Sequence, residues 1–430
     1  MDHPIKVLWV CNVMLPRIAR ALNTGTTPIG GWLEGLSEDL LGFPGVKLTV
    51  CFPMPGASGV VKGQAEGLDF YGFSSDMKRL NQYDPAQEEQ FRQIIRETQP
   101  DLLHVFGTEY PHSLAAVKAF GKPKRTMIHI QGLVSVYALH FMADLPWKVQ
   151  KQYTFRDLMR RENLLRQQQK FVERGVYERQ AIEQAGHIMG RTEWDRACTV
   201  QINPEAAYHL CNETLRSSFY LEENQWSPDG CQRRSIFLSQ GSYPIKGLHY
   251  MMEAMEILKK QYPDVTLYVA GEDISRNQTL KDRLRQSAYG RYISRLLDRY
   301  QLRSSVVFTG FLDEKEMCGR YRKSHVFVCP SSIENSPNSV GEAMALGMPV
   351  VSADMGGVKS MLTHEREGLI YQTDAPYMLA YQVSRIFDSD ELAARLGRQA
   401  RIRAMETHNR EENARQVLAV YRDICGGEDS

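Results

Sequence analysis

Long apolar runs are missing from this sequence of 430 residues. No apolar stretch approaches the length of about 20 residues that a transmembrane helix needs. The first residues, MDHPIKVLWVCNVMLP, have neither the basic start nor the long apolar run of a signal peptide. We therefore expect a chain that neither spans a membrane nor is secreted, and we expect it in the cytoplasm.

Cysteine motifs and an excess of charge are also missing. The eight cysteines contain no C-x-x-C pair, which predicts reduced thiols rather than a disulfide or zinc framework. The 52 Lys and Arg residues balance 51 Asp and Glu residues, so we expect no nucleic-acid partner. No G-x-G-x-x-G follows a predicted strand, which disfavours a dehydrogenase.

Two series of short apolar strands, each alternating with helical stretches, are present instead. Such alternation predicts parallel sheets with helices on both faces, and the length predicts more than one domain. The fold class is therefore α/β, with two doubly wound, Rossmann-like domains. The predicted strands are residues 5–11, 46–52, 102–106, 126–130 and 187–190, then 235–239, 265–270, 306–309, 325–329, 349–352 and 368–371.

Two glutamates, Glu334 and Glu342, lie in the stretch SSIENSPNSVGEAMALGMPVVSADMGG. The preceding run 325–330 has the length and β-branched content of a buried strand. Ser336 is placed to cap a helix whose first residue is Pro337. We therefore predict Glu334 in the loop after the strand and Glu342 in the helix.

The start of this helix is expected to bind an anion. The N–H groups of Asn338, Ser339 and Val340 are predicted to point out of the carboxyl end of the strand, where the helix dipole favours a diphosphate. Ionised carboxylates only accept hydrogen bonds, so Glu334 and Glu342 suit hydroxyl groups on either side of it. A nucleotide sugar has that form.

The spacing of the glutamates, the proline and asparagine between them and the EAMA segment resemble the signature of retaining family-4 glycosyltransferases of GT-B fold. The resemblance implies two domains facing across a cleft. It also implies that Glu334 contacts the transferred sugar, that Glu342 contacts the nucleotide ribose and that amides near Asn338 and Ser339 hold phosphate. The alternative is that Glu342 only solvates a helix and that Glu334 is a loop charge.

The same resemblance implies an activity. It is the retaining transfer of a hexose-type sugar from a nucleotide diphosphate sugar, expected to be a UDP-sugar, to a growing glycan or lipid-linked acceptor. Bacterial polysaccharide biosynthesis is the implied setting. The nucleotide sugar is a co-substrate, so we expect no cofactor, and we expect no metal.

A polar segment with proline and glycine, residues 221–234, is predicted to link the domains. We place an acceptor-side domain at 1–225 and a nucleotide-sugar-binding domain at 226–408. Residues 409–430 form a final helix that, by resemblance, crosses back to the first domain.

The turn SQGSYPIKG places Lys246 near the predicted phosphate edge. By resemblance, this lysine is a catalytic residue that neutralises the diphosphate. The family has an arginine five positions earlier, where this chain has Gly241 in the donor site. Another cation or backbone amides must then replace that arginine, and a solvated surface lysine is the alternative.

The segment TGFLDEKEM resembles the turn where the family's main chain reads the nucleotide base, which nominates Gly310 and Phe311. An ordinary connection with Asp313 as helix N-cap is the alternative. In the first half, Gly30 and Gly31 resemble the glycine turn that faces the donor phosphates. A simple helix entry would need the same glycines.

Three further positions are expected on the acceptor side. Glu109 and His112 follow a predicted strand and are expected to be exposed. Arg191 follows the last strand of the first half, where a buried ion-paired turn is the alternative. Gln131 stands where the family has a catalytic histidine, and glutamine cannot act as a general base at neutral pH.

Residues 146–180 hold nine Lys or Arg against four Asp or Glu, interleaved with large apolar residues. This pattern predicts a basic amphipathic stretch at an anionic membrane surface, with a solvated helix face as the alternative. The pair Asp388 and Asp390 imitates a metal-binding motif, but its place between helices favours capping.

Two other functions stay open. A nucleotide-sugar epimerase shares the GT-B fold and would form product without an acceptor. A non-catalytic sugar-binding relative could keep the shape, and the departures at Gly241 and Gln131 are compatible with it.

Overall fold

The computed structural model describes residues 3–24, 30–77 and 79–426. It divides into two compact units. The first comprises Met1–Val136, Phe171–Arg216 and His408–Ser430, and the second comprises Tyr137–Lys170 and Ser217–Thr407. Each unit contains one β-sheet with helices, so the predicted α/β class with two Rossmann-like domains is confirmed.

Fourteen strands build the two sheets of the described residues. They are β1 (Ile5–Cys11), β2 (Val46–Pro55), β3 (Val61–Ala65), β4 (Leu68–Ser75), β5 (Leu102–Phe106), β6 (Thr126–His129), β7 (His187–Gly190), β8 (Ala207–Leu210), β9 (Gln232–Leu238), β10 (Thr266–Val269), β11 (Val306–Phe308), β12 (Ser324–Cys329), β13 (Val350–Asp354) and β14 (Leu369–Gln372).

Eighteen α-helices accompany the strands in the described residues. They are α1 (Pro16–Ala21), α2 (Gly31–Leu41), α3 (Pro85–Thr98), α4 (His112–Phe120), α5 (Val134–His140), α6 (Trp147–Gln150), α7 (Phe155–Arg160), α8 (Leu164–Glu183), α9 (Glu193–Ile202), α10 (Leu248–Gln261), α11 (Leu280–Arg285), α12 (Ala288–Arg299), α13 (Glu314–Arg322), α14 (Asn338–Ala345), α15 (Val358–Met361), α16 (Pro376–Asp388), α17 (Asp390–Thr407) and α18 (Arg410–Gly426).

The sheet of the first unit has the order β3-β4-β2-β1-β5-β6-β7-β8. All neighbours are parallel except β3 and β4. Along β1, Val7 and Trp9 join one core cluster while Leu8 and Val10 join another, because successive side chains point to opposite faces. Burial on both faces is what a parallel sheet requires.

Strands β3, β4 and β8 were not predicted. Strands β3 and β8 lie at the two edges of the sheet, and most of their residues are exposed or half-buried. An edge strand of this kind lacks the apolar run that identifies a strand in sequence. Strand β4 does have an apolar pattern, Leu68, Phe70 and Phe73 being buried, and the prediction overlooked it.

The last helix, α18, completes the core of the first unit. Leu418 and Tyr421 belong to the same apolar cluster as Trp9 and Leu33. The Trp9 indole Nε1 donates to the Tyr421 hydroxyl at 2.9 Å. Helix α18 is therefore part of the hydrophobic core of this unit rather than an appendage.

The sheet of the second unit has the order β11-β10-β9-β12-β13-β14 and is entirely parallel. Strand β9 pairs with β10 on one side and with β12 on the other, so the strand order reverses between β9 and β12. In open α/β sheets, ligands bind at the carboxyl ends of the strands beside such a switch point.

Residues 137–170 depart from the predicted domain boundaries. They were assigned to the first domain, 1–225, but their contacts place them in the second unit. The basic stretch 146–180 is not one amphipathic helix either, since it is divided among α6, α7 and α8. Among the helices of the described residues, none is both long and apolar enough to cross a membrane.

Candidate functional site

The turn after β9 is held tightly against the end of β12. Gly247 has φ +69°, and a Cβ there would meet the Pro330 carbonyl oxygen at 1.9 Å. The Ser332 N–H donates to the Ile245 carbonyl at 2.8 Å. Glycine is therefore required at 247, and the close approach sets Lys246 beside the loop that follows β12.

Lys246 and Glu334 meet at this switch point. The Lys246 ammonium forms an ion pair with Oε1 of Glu334, and the Ser331 hydroxyl donates to the same oxygen at 3.0 Å. No group of the described residues donates to Oε2, so that oxygen is available to a ligand hydroxyl. Burial lowers the pKa of the Lys246 ammonium, but the charge of Glu334 and smaller contributions outweigh it, and the net direction is upward.

The backbone of Glu334 is fixed from two further directions. A Cβ at Gly356 would lie 1.8 Å from the Glu334 carbonyl oxygen, and the Gly357 N–H donates to that oxygen at 3.1 Å. The N–H of the next residue, Asn335, donates to the Tyr137 hydroxyl at 3.0 Å. Contacts from the turn that follows β13 and from Tyr137 thus orient the loop that carries Glu334.

Helix α14 begins one residue later than predicted. Pro337 is its N-cap and Asn338 its first residue, so the prediction of Ser336 as N-cap is wrong. The Val340 N–H donates to the Pro337 carbonyl at 2.9 Å, so it is not available to an anion as predicted. Asn338 and Ser339 occupy the first turn, where helix N–H groups have no intrahelical acceptor.

Glu342 lies in α14 and is buried, with 6% of its surface exposed. The hydroxyl of the buried Tyr321 lies 3.3 Å from Glu342 Oε2 and 3.1 Å from the Ser339 carbonyl oxygen. Tyr321 therefore orients both the carboxylate and the first turn of α14. Glu334 and Glu342 are brought to the carboxyl edge of the sheet on a loop and a helix, as the sequence predicted.

The predicted donor-binding residues Gly241, Gly310 and Phe311 differ in their exposure and in their backbone hydrogen bonds. Gly241 is buried, and a Cβ there would lie 3.0 Å from Leu248 and 3.1 Å from Val269. The Gly310 N–H donates to the Gly271 carbonyl at 3.2 Å, so that N–H is not available to a nucleotide base. Phe311 is exposed.

Asp313 caps α13 and forms a capping box with Glu316. The sequence left two readings of the turn that precedes α13, a base-reading turn or an ordinary connection with Asp313 as N-cap. The structure has the capped connection. Of the two residues predicted to contact the base, Gly310 uses its N–H within the fold and Phe311 has an exposed side chain.

Glu213 is the centre of a buried polar cluster in the first unit. Its Oε2 pairs with Nη1 of Arg191 at 2.5 Å, and its Oε1 accepts a hydrogen bond from the Gln131 amide. His129 Nε2 lies 3.3 Å from Oε1, and His408 Nδ1 lies 2.7 Å from the Glu213 carbonyl oxygen. Burial raises the pKa of the Glu213 carboxyl, but Arg191 and His129 lower it, and the net direction is downward.

This cluster changes the interpretation of two predicted residues. Arg191 is buried in an ion pair, which is the alternative that the sequence left open, and it is not an exposed acceptor-side residue. Gln131 is half-buried, and Glu213 orients its side chain. Both residues follow strands of the first sheet, β7 and β6, at the carboxyl edge.

The remaining predictions in the first unit have mixed outcomes. Gly30 is the N-cap of α2 with φ +92°, and a Cβ at Gly31 would lie 3.1 Å from the Arg216 side chain. Glu109 is half-buried, its Oε2 accepts from the Asn12 amide at 2.6 Å, and burial raises its pKa. His112 was predicted to be exposed and is buried, which lowers its pKa to about 4.

The sequence analysis did not identify Glu213, Tyr321 or Tyr137 as residues that orient the predicted site residues. Glu213 lies 82 positions from Gln131 and 22 from Arg191. Tyr321 and Tyr137 are single aromatics in helices, where a core position is the ordinary interpretation. Within the described residues, no group of three or more His, Cys, Asp or Glu side chains is placed to hold a metal ion.

The comparison with family models covers the part of the chain that carries Lys246, Glu334 and Glu342. Residues 223–403 match the family described as Glycosyl transferases group 1. This part of the chain is therefore similar to a group 1 glycosyltransferase domain. Among sequence relatives, this chain is similar to alpha-D-kanosaminyltransferase of Streptomyces kanamyceticus, at 24% identity over 196 residues, 45% of this chain and 47% of that protein. The chain thus spans about half the length of the relatives that it matches.

Solved structures resemble the whole chain, including both units. Sucrose-phosphate synthase from Thermosynechococcus elongatus superposes with a TM-score of 0.69 at 16% identity, covering 99% of this chain and 100% of that one. Anabaena Alr3699/HepE in complex with UDP-glucose gives 0.64 at 16% identity, covering 97% and 100%. At such identity the likeness concerns the fold, which is the GT-B fold of glycosyltransferases.

Proposed function

We propose that this protein transfers a hexose-type sugar from a nucleotide diphosphate sugar, UDP-hexose in the first instance, to a growing glycan or lipid-linked acceptor with retention of anomeric configuration. The ion pair between Lys246 and Glu334 at the β9–β12 switch point carries this proposal. It combines a cation and a carboxylate at the edge where open α/β sheets bind nucleotides.

The two charges have different parts in the proposal. Lys246 is the cation that neutralises the diphosphate, helped by the first turn of α14. A diphosphate at this edge competes with Glu334 for the Lys246 ammonium, which leaves the Glu334 carboxylate to accept hydrogen bonds from sugar hydroxyls. Glu342, oriented by Tyr321, accepts from the ribose.

The reaction needs no covalent bond to the protein. The acceptor hydroxyl oxygen bonds to the anomeric carbon while the bond from that carbon to the diphosphate oxygen breaks. The departing diphosphate takes the acceptor proton on the same face. Positive charge that develops on the sugar ring is stabilised by the nearby carboxylate, an electrostatic effect that is worth more in a site that excludes water.

Two of the similar proteins support this proposal. A kanosaminyltransferase is among the sequence relatives, and Alr3699/HepE binds UDP-glucose in a chain of the same fold. We extend the donor class from these proteins to this one as a proposal. We propose separately that the reaction needs neither a metal nor a cofactor.

A ligand screen followed by a transfer assay tests the proposal. Thermal unfolding is measured with UDP-glucose, UDP-galactose, GDP-mannose and ADP-glucose, and a ligand at 100 times its dissociation constant adds about 2.7 kcal/mol. We expect a UDP-sugar to raise the melting temperature and Lys246→Met to abolish the rise. No shift with any nucleotide sugar refutes donor binding, whereas a new sugar nucleotide formed without acceptor indicates an epimerase.

A further inference from the structure

Helix α7 exposes an apolar face. Phe155, Leu158 and Met159 stand at positions i, i+3 and i+4, which share one side of a helix. Leu158 is 61% exposed and Met159 70% exposed. Large apolar side chains grouped in this way on a surface mark an interaction site more often than isolated ones do.

The neighbouring helix α11 extends this face. Helices α7 and α11 are in contact within the second unit. Leu280 and Leu284 of α11 stand at i and i+4, and they are 74% and 40% exposed. We call the exposed side chains of these two helices the α7–α11 surface. Five large apolar side chains therefore lie on adjoining parts of it.

The same surface is basic. It has Arg160 and the adjoining Arg161 at the end of α7 and Lys281, Arg283 and Arg285 in α11, and these five side chains are exposed. No carboxylate of the described residues forms an ion pair with any of them. The nearest carboxylates in sequence have other partners, since Glu162 pairs with Lys170 while Asp157 and Asp282 cap their own helices.

Buried polar contacts hold helix α7 in place. Thr154 and Asp157 form a capping box at the start of α7. Asp157 is buried and also accepts from the Ala288 N–H at 3.1 Å, which ties α7 to the start of α12. These buried polar contacts fix the orientation of α7, in which Phe155, Leu158 and Met159 face outward. Their exposure is therefore not the result of a loosely held loop.

We propose that the α7–α11 surface docks on an anionic lipid bilayer. Apolar side chains would enter the headgroup region while the five cations contact lipid phosphates, since basic and apolar groups side by side are what binds interfacial helices to such membranes. A second copy of the chain fits less well, because a symmetric contact would bring two basic patches together. This docking does not depend on the proposed reaction.

Vesicle flotation of the full chain tests the proposal. The probes are vesicles of phosphatidylcholine alone and of phosphatidylcholine mixed with phosphatidylglycerol, at ionic strengths of about 0.1 M and about 1 M, where the Debye length falls from about 10 Å to about 3 Å. We expect binding to the anionic vesicles at the lower salt, weaker binding at the higher salt, and little binding to the neutral vesicles.

Two variants locate the contact. Arg160→Gln with Lys281→Gln is expected to weaken binding roughly 30-fold, because each basic side chain near such a surface contributes about 1 kcal/mol and each 1.36 kcal/mol is tenfold. Leu158→Ser with Met159→Ser is expected to abolish flotation. Matched controls are Lys260→Gln with Lys315→Gln for the charges and Ile402→Ser for the apolar residues, all exposed elsewhere on the second unit.

Several outcomes overturn the proposal. Equal binding to neutral and anionic vesicles, or none to either, rejects an anionic bilayer. Control variants that weaken binding as much as the surface variants reject this location. If gel filtration shows a concentration-dependent dimer that Leu158→Ser with Met159→Ser abolishes, the surface belongs to a second copy. A melting temperature within error of the parent chain ensures that each variant is folded.

Discussion

The Lys246 ammonium and the Glu334 carboxylate are ion-paired although 88 positions separate them in the chain. Parallel pairing of β9 with β12 brings the two strand ends together, and Gly247 lets the turn approach Pro330. Both side chains are largely buried, at 17% and 11% exposure. Each buried charge is therefore neutralised by the other until a charged ligand binds.

Lys246→Met is expected to lower kcat/KM at least tenfold. At about 4 Å and an effective dielectric near 20, a charge pair contributes on the order of 4 kcal/mol before desolvation, and half of that is about 30-fold in rate. Steady-state kinetics with the donor identified by the ligand screen measure the loss. Lys260→Met, an exposed lysine on α10, is the control.

A result within twofold of the parent chain for Lys246→Met means that another cation neutralises the diphosphate. Gly241→Arg is not expected to rescue this variant. The packing of Leu248 and Val269 around position 241 leaves little room for a side chain to start there.

Glu334→Gln and Glu342→Gln are expected to separate turnover from donor binding. Glu334→Gln should lower kcat more than it raises the donor Kd, because its charge acts beside the sugar. Glu342→Gln should mainly raise the donor Kd. A hydrogen bond to a charged group is worth about 1.5–3 kcal/mol, or about 10-fold to 150-fold.

Calorimetric donor titration and steady-state rates, measured on both variants, decide this prediction. Glu256→Gln, a surface carboxylate on α10, is the control. Kinetics like those of the parent chain in both variants would remove the two glutamates from the site. Equal losses of kcat and affinity in both would contradict the division of roles.

The product is expected to keep the donor's anomeric configuration, and activity is expected to survive EDTA. Lys246 and the start of α14 provide the positive charge that a metal provides elsewhere. Anomeric proton couplings in the NMR spectrum of the product decide the stereochemistry. An inverted product, or activity that EDTA abolishes and a divalent cation restores, contradicts the proposal.

Glu213→Ala is expected to destabilise the first unit by about 3–5 kcal/mol, because it leaves Arg191 buried without its ion-pair partner. Denaturant unfolding measures this loss, and the exposed Glu205→Ala is the control. Arg191→Met with Glu213→Leu should be less destabilised than Glu213→Ala alone, since an apolar pair leaves no buried charge. Equal or greater loss in the double variant would show that the pair itself stabilises the fold.

Stability is expected to fall as the pH drops below about 6.5. Burial lowers the pKa of His112 in the first unit and of His249 in the second to about 4 from 6.5. Between these values the unfolded chain binds a proton that the folded chain does not, so unfolding becomes easier at lower pH. Each histidine accounts for up to about 2 kcal/mol at pH near 5.

Denaturant midpoints at several pH values between 8 and about 5 measure the slope. His112→Gln should make it shallower, whereas the exposed His140→Gln should leave it unchanged. A slope that His112→Gln does not alter would assign the acid sensitivity to other groups.

The placement of Lys246, Glu334 and Glu342 was predictable because it depends on local rules. A strand, a loop and a helix place Glu334 and Glu342 at one sheet edge, and Lys246 follows the neighbouring strand. The sequence could not show that Val340 and Gly310 use their N–H groups within the fold, since those acceptors depend on exact geometry.

The first unit was harder to predict. In its polar cluster, Gln131, Arg191 and Glu213 follow the three neighbouring strands β6, β7 and β8. His408 lies nearly two hundred residues after Glu213 in the chain. Nothing local distinguishes a buried Glu213 from a surface glutamate. Predicted exposure failed at His112 for the same reason, because tertiary packing determines burial there.

The chain passes between its two units four times, at residues 136–137, 170–171, 216–217 and 407–408. Neither unit is encoded by one continuous segment. During synthesis, strand β1 leaves the ribosome before α18, so Trp9 lacks its core neighbours Tyr421 and Leu418 until α18 has been made. The first unit therefore cannot complete its core until the second unit's residues 217–407 have been made, and a fragment ending before residue 408 would leave that core open to water.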